Sequence, residues 1–185
     1  MARIPIPTRE SVPEQYRSVF DELVESRGGP PINGPGTVTL NSPEAANRAN
    51  HLSEYLRRES GLPTKLQELA MLTVARELDC QYIWNAHAAS GRREGLSDAL
   101  VDCMREQKDL PSLSADEAAV VNYGREFFRT HKVSDGAFQA AQQQFGVHGL
   151  TNLTILMGYY ALLAFNANAF QIDLPAERTE TTLPV

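Results

Sequence analysis

The sequence contains only two cysteines, Cys80 and Cys103, and they follow no regular spacing. Such sparse cysteine usage is typical of a protein of a reducing cytosol. The opening residues MARIPIPTRESVPEQ also lack the apolar core of a signal peptide. A chain of 185 residues needs no disulfide staple, because it can bury about 70% of its unfolded surface. We therefore expect a cytoplasmic protein with one domain.

Runs of Lys or Arg are absent, and so are Gly-rich phosphate loops and internal repeats. The formal charge of −6 argues against nucleic acid or an anionic membrane as the main partner. The longest apolar stretch, from about Leu150 to Phe170, is interrupted by Asn152, Thr154 and Gly158. It is too short and too polar for a membrane span, which needs about 20 apolar residues. We expect a central or subunit-interface helix there, and no membrane partner.

Helix signals follow one another along the rest of the chain. Residues with the chemistry of helix N-caps, often followed by Pro or an acid, mark most of the starts. The predicted starts are Ser11, Asn41 or Ser42, Leu62, Asp79 as an N-cap, Ser97, Ser114, Ser134 and about Leu150. The segment SRGGPPINGPG, residues 26–36, breaks this series because Gly and Pro do not support regular structure. It is either a surface connection or a segment that covers the mouth of an active site.

The stretch from Glu68 to His87, ELAMLTVARELDCQYIWNAH, concentrates the residues with chemical potential. In a helix, Met71, Leu72 and Ala75 share the face of Glu68. Burial disfavours a charged carboxylate, which suits a group that takes up and releases protons near neutral pH.

Cys80 lies near the start of the next predicted helix, two turns before His87. Ile83 and Trp84 occupy the same face between them, so one surface presents a thiol, an indole and an imidazole. With Asp79 as the N-cap, Cys80 would lie in the first turn, where the helix dipole favours a thiolate. Cys103 is expected in the core of a different helix.

Three chemistries are compatible with these residues. Glu, Cys and His all bind metals, but their spacing matches no compact metal motif. Cys80 could act as a nucleophile with His87 as its base, although two helical turns separate them by about 10 Å. An acid–base pair of Glu68 and His87 across two packed helices is the more economical site. Trp84 and Tyr82 would supply walls, or serve only as packing.

The spacing of Glu68, Cys80 and His87 resembles that of the carboxymuconolactone decarboxylase family, which includes the alkylhydroperoxidase D proteins. The resemblance extends from NSPEAANRANHLSEYLRRESGLPTKLQ to GLTNLTILMGYYALLAFNANAF, roughly residues 35 to 175. The peroxidase branch has a motif similar to Cys-x-x-Cys-x-x-x-His, but Ile83 occupies the second cysteine position here. The motif is more similar to Cys-x-Tyr-x-Trp-x-x-His of the decarboxylase-type branch.

The resemblance implies an all-α, alkylhydroperoxidase D-like bundle of about seven helices. It also implies a site without a cofactor, lined by Glu68 and His87, and a homo-oligomer, a trimer or a multiple of one. We divide the chain into an N-terminal helix and loop (1–36), the family-like domain (37–175) and a tail (176–185).

The leading functional prediction is decarboxylation, or a related proton transfer, on a small lactone or cyclic carboxylic acid. The predicted catalytic residues are Glu68, His87 and Cys80. Trp84, Ile83 and Tyr82 are predicted to contact the substrate, and no metal ligand is predicted. A thiol-dependent peroxidase that uses Cys80 and an external thiol is the first alternative. A small-molecule binder without catalysis, on the same fold, is the second.

Overall fold

A computed structural model describes residues 2–30 and 33–185 of the chain. The described residues form eight α-helices and no strand, so the all-α prediction is confirmed. The bounds are α1 Arg17–Ser26, α2 Pro35–Thr39, α3 Pro43–Glu54, α4 Thr64–Glu77, α5 Gln81–Arg93, α6 Asp98–Arg105, α7 Ala115–Thr130 and α8 Asp135–Ala169. A 3₁₀ turn, Glu14–Tyr16, precedes α1, and a π-helical turn, Tyr55–Glu59, continues α3.

Helix α4 is the centre of the bundle. Every residue from Leu66 to Arg76 is buried, because α5, α7 and α8 pack around the helix. A helix that is apolar on nearly every side has no solvent-facing stripe and must be enclosed in this way. The buried middle helix of the bundle therefore carries Glu68.

Several predicted helix starts are confirmed by their caps. The Ser97 hydroxyl accepts a hydrogen bond from the Leu100 amide at the start of α6. Ser114 and Glu117 form a reciprocal capping box at the start of α7. The start at Ser11 was wrong, because its hydroxyl donates to the Thr8 carbonyl and regular α-helix begins only at Arg17.

Helix α8 joins two elements that the sequence predicted as separate. Its backbone is interrupted at Gly146, where φ is +64° and ψ is 177°. The positive φ is readily adopted by glycine, so the chain changes direction there and continues as helix. Among the described helices, α8 is long and apolar enough to cross a membrane, but 44% of its most apolar window is buried in the protein. We interpret α8 as a helix of the bundle, since it packs against α4 and α7.

The N-terminal segment builds a small second core beside the main one. That core contains Val12, Phe20, Leu23, Leu40 and Ala46. The segment predicted as irregular, 26–36, includes two residues outside the described ranges, Pro31 and Ile32. It also ends earlier than expected, because α2 begins at Pro35.

The C-terminal tail, residues 176–185, returns to the main core. The side chain of Leu183 is buried there. The Gln81 amide donates to the Leu183 carbonyl and accepts from the Leu183 N–H, both at 2.8 Å. The tail is thereby attached to the first residue of α5.

Close packing of α4 against α5 depends on Gly91. A Cβ at this position would lie 2.8 Å from Leu96 Cδ1 and 3.3 Å from Leu72 Cδ1. We expect Gly91→Ala to lower the free energy of unfolding by about 1–3 kcal/mol through overpacking, as measured by urea denaturation. Gly136→Ala is the matched control, because its new Cβ would meet no atom within 4 Å. Equal stability of the two variants would contradict this close-packing assignment.

Candidate active site

The centre of the candidate site is a contact between α4 and α5. His87 Nδ1 lies 2.8 Å from Glu68 Oε2, a hydrogen-bond distance. The Glu68 side chain is 1% exposed and that of His87 is 13% exposed. An imidazole that uses Nδ1 in this way has its tautomer set by the contact, which leaves Nε2 available for chemistry. The structure thus brings together the two residues predicted as an acid–base pair.

Arg57 completes the surroundings of the Glu68 carboxylate. Its Nη2 lies 3.8 Å from Glu68 Oε1, so the two carboxylate oxygens face different cationic or ionisable partners. The Arg57 side chain remains 46% exposed. A carboxylate buried as deeply as Glu68 needs such partners, because an unpaired buried charge costs several kcal/mol.

The π-helical turn positions Arg57. Its characteristic bond runs from the Ser60 N–H to the Tyr55 carbonyl at 2.9 Å, one residue longer than the bond of an α-helix. The Gln67 amide donates to the Arg57 carbonyl at 3.3 Å and ties the turn to α4. From α8, the Asn152 amide donates to the Ser60 carbonyl at 3.0 Å, and the Tyr55 hydroxyl donates to Asn152 Oδ1 at 3.4 Å.

Tyr160 of α8 covers the imidazole. Its ring lies edge-on to His87 with the ring centroids 5.1 Å apart. Burial raises the pKa of the Tyr160 phenol well above its ordinary value, so the group stays protonated at neutral pH. Tyr160 therefore acts as a neutral wall of the site.

Cys80 does not lie where the sequence predicted. It is itself the residue that precedes α5, and Asp79 has a positive φ of 48° outside the helix. The Asp79 carboxylate pairs with Arg76 at 3.0 Å and does not cap α5. Cys80 is fully buried, and this burial raises the pKa of its thiol, although the backbone amides of Ile83 and Tyr82 act in the opposite direction. The expected thiolate is therefore disfavoured.

The predicted wall residues separate into two groups. Ile83 and Trp84 are buried in the main core with Cys80. Trp84 Nε1 has no hydrogen-bond partner among the described residues. Tyr82 faces the N-terminal segment, where its hydroxyl donates to Asn33 Oδ1 at 2.9 Å. Tyr82 therefore packs beneath the loop that contains Asn33.

The other free thiol, Cys103, is only partly buried, so it is not the core residue that the sequence predicted.

Sequence reasoning missed Arg57 and Tyr160 as neighbours of the pair. The π-helical turn that presents Arg57 has no sequence signature of its own, because tertiary hydrogen bonds from Gln67 and Asn152 hold it. Tyr160 lies in the apolar stretch from about Leu150 to Phe170, which was expected only as a central or subunit-interface helix. Among residues 2–30 and 33–185, no group of three or more His, Cys, Asp or Glu side chains is close enough to hold a metal ion.

The fold and the site define an all-helical protein with a buried carboxylate–imidazole pair between its central helices. The sequence model of the carboxymuconolactone decarboxylase family matches residues 43–126. The matched segment, which runs from α3 into α7, is similar to that family and contains Glu68, Cys80 and His87. The resemblance to this family that the sequence predicted is thus confirmed by the family model.

Solved structures with the same fold have different descriptions. An uncharacterized peroxidase-related protein from Ralstonia eutropha, with an alkylhydroperoxidase AhpD core, has a TM-score of 0.71 and 16% identity, covering 95% of this chain and 93% of its own. Another uncharacterized peroxidase-related protein, from a Silicibacter species, has a TM-score of 0.71 and 15% identity. The match covers 95% of this chain and 92% of that protein. A variant of the debrominase Bmp8, in complex with 2,3,4-tribromopyrrole, has a TM-score of 0.68 and 13% identity, covering 95% of each chain. At these identities the likeness shows the fold alone, and no curated protein matches the chain.

The raised pKa of the Cys80 thiol predicts slow alkylation. Less thiolate is present at a given pH than for an ordinary thiol, so the rate should still be rising above pH 9. The measurement is iodoacetamide labelling across pH 7–10, followed by intact mass spectrometry in a Cys103→Ala background. The urea-unfolded protein is the control and should react at the rate of a free thiol. Fast labelling of the folded protein at pH 7 would contradict the assignment.

Proposed function

We propose that the protein is a carboxymuconolactone decarboxylase-like enzyme. Its reaction is decarboxylation, or a related proton transfer, on a small lactone or cyclic carboxylic acid. The observation that supports this most directly is the 2.8 Å contact between the buried Glu68 carboxylate and the His87 imidazole. A general acid or base must be positioned in this way, and the effect of such a group is about 10²–10⁴-fold in rate.

The proposed reaction uses the pair to move one proton. The bond between the ring carbon and the departing carboxylate breaks, and CO₂ leaves. The electron pair of that bond spreads into the lactone carbonyl as a dienolate. His87 then donates a proton from Nε2 to carbon, and Glu68 stabilises the imidazolium before this transfer through its contact with Nδ1. The reaction as a whole consumes one proton and transfers no electrons to or from the protein. Titratable side chains are therefore sufficient for it.

The first alternative, a thiol-dependent peroxidase, has weaker support. Peroxide must reach a thiolate, but Cys80 is fully buried and its thiol pKa is raised by that burial. The side chain at the second cysteine position of the peroxidase motif is Ile83, which is also buried. The second alternative, a binder without catalysis, requires only the pocket. It predicts that ligand binding survives replacement of both Glu68 and His87.

Glu68→Gln tests the proton-transfer role. The amide keeps the shape of the side chain but cannot take up or release a proton, so we expect turnover to fall by about 10²–10⁴-fold. The assay is CO₂ release from carboxymuconolactone, and circular dichroism checks the fold. Glu77→Gln is the matched control, since Glu77 is an acid on the same helix whose side chain is only 7% exposed and pairs with Arg129 and Arg125 instead. Undiminished turnover in Glu68→Gln would remove Glu68 from the mechanism.

We also propose that the protein self-associates through the outer face of α8. Ile155, Leu162 and Phe165 on this face are 39%, 47% and 75% exposed. With Gly158 between them, their spacing of three, four and three residues follows one side of the helix. A Cβ on Gly158 would meet no atom within 4 Å, so this surface is open to the close approach of another helix. A second copy of the chain would remove the apolar face from water.

Phe165→Asp tests this interface. A carboxylate at the most exposed apolar position of the strip would have to lose its water on association, so we expect the oligomer to dissociate to monomers. The measurement is light scattering coupled to size-exclusion chromatography. Phe138→Asp is the control, because it changes an exposed phenyl group of α8 on the other side of the Gly146 break. Dissociation of both variants, or of neither, would argue against this face.

A further inference from the structure

Residues 179–183 of the tail lie along the first turns of α5. The Gln81 side chain binds both the N–H and the carbonyl of Leu183. One turn further along the helix, the Thr179 hydroxyl donates to the Asn85 carbonyl at 3.4 Å. The tail therefore runs antiparallel to α5 and spans the turn that separates these two contacts.

This course brings the tail to a thiol that the proposed reaction does not use. Cys80 directly precedes Gln81 and is fully buried. The Leu183 side chain is 3% exposed and belongs to the same hydrophobic core as Cys80. Because Gln81 fixes the backbone of Leu183, this side chain is the apolar anchor of the tail at the end of α5 that carries the thiol.

An ionic contact holds the same segment at the other end of α5. Arg92 Nε donates to Glu180 Oε1 at 3.1 Å. The same guanidinium donates to Asp98 and Asp102 of α6, at 2.6 and 2.7 Å. Release of Glu180 would leave Arg92 paired with both α6 carboxylates, so opening of this contact would bury no unpaired charge.

Little else attaches the tail to the bundle. All residues from 170 to 185 are described, and they form no helix or strand. Within the tail, 176–185, Leu183 is the one buried side chain. Asn85 Oδ1 on α5 is also buried and has no hydrogen-bond partner among the described residues, so water admitted by opening would satisfy it. Segments with so few buried contacts open at a lower free energy than core helices do.

We propose that residues 179–183 are a detachable strap, which opens without unfolding of the bundle and controls the access of solvent to Cys80. In the closed state Leu183 covers the start of α5, and the thiol is shielded from reagents. In the open state Glu180 is hydrated, the guanidinium keeps its α6 partners, and the thiol becomes accessible. The strap acts on the accessibility of the thiol and does not depend on the proposed decarboxylation.

Leu183→Asp tests the strap, because a carboxylate does not stay in the core without a partner. The variant is made in the full chain with Cys103→Ala and labelled with iodoacetamide. We expect Cys80 to react at least about tenfold faster than in the parent protein, the factor that loss of one buried leucine allows. Circular dichroism should still show the helices. Val185→Asp is the matched control and should leave the rate unchanged, since it adds the same charge to a side chain that is already 77% exposed.

A synthetic peptide distinguishes opening of the strap from unfolding of the bundle. Its sequence is AERTETTLPV, residues 176–185. At about 1 mM, comparable with the effective concentration of a short tether, it should fill the vacated place in Leu183→Asp and restore slow labelling. The same peptide carrying Leu183→Asp should have no effect. Faster labelling that the wild-type peptide does not reverse would overturn the inference.

Glu180→Gln is a second test, which leaves the core untouched. Loss of the charge weakens the contact with Arg92, so labelling of Cys80 should rise about two- to fivefold, the range for one ion pair near the surface. Glu177→Gln is its control, because Glu177 is an exposed acid of the same tail without an ion pair to the described residues. Unchanged labelling in both Leu183→Asp and Glu180→Gln, or equal acceleration in the two controls, would also overturn the inference.

Discussion

The structure depends on the burial of one carboxylate at the centre of the bundle. Glu68 is 1% exposed on a helix whose middle eleven residues, 66–76, are all buried. A lone charge there would cost several kcal/mol, so its two oxygens require partners from neighbouring elements. His87 supplies one from α5, and Arg57 supplies the other from the π-helical turn. The need to satisfy Glu68 thus links three successive segments of the chain, namely the π-helical turn, α4 and α5.

The packing of the helices holds Glu68 and its partners in position. Gly91 allows α4 and α5 to approach closely, one turn beyond His87, and the space where its side chain would be is occupied by Leu72 and Leu96. On the other side, Asn152 of α8 holds the π-helical turn, while Tyr160 of the same helix lies against the imidazole. The site is therefore built from several rigid elements, which is the condition for precise positioning of reacting groups.

Local sequence signals were sufficient to predict much of the fold and part of the candidate site. The caps at Ser97 and Ser114 fixed the starts of two helices, because a cap needs only residues within one turn. The juxtaposition of Glu68 and His87 followed from helix faces and from the family resemblance. Arg57 could not be found in this way, because a π-helical turn is stabilised by groups distant in sequence. Asp79 failed as a cap for a local reason, since Arg76, three residues earlier, pairs with its carboxylate.

Stability alone gives no reason for an acid at position 68. Replacing a buried ion pair with apolar side chains of similar size is often neutral, or stabilising by about 1–4 kcal/mol. The residues that follow Glu68 on α4, from Leu69 to Leu72, all belong to the hydrophobic core. A loss of stability from a buried charged group is expected where a protein holds titratable groups for chemistry. The half-exposed Arg57 supports this interpretation, because it pairs with the buried carboxylate and also lines a polar groove at the protein surface.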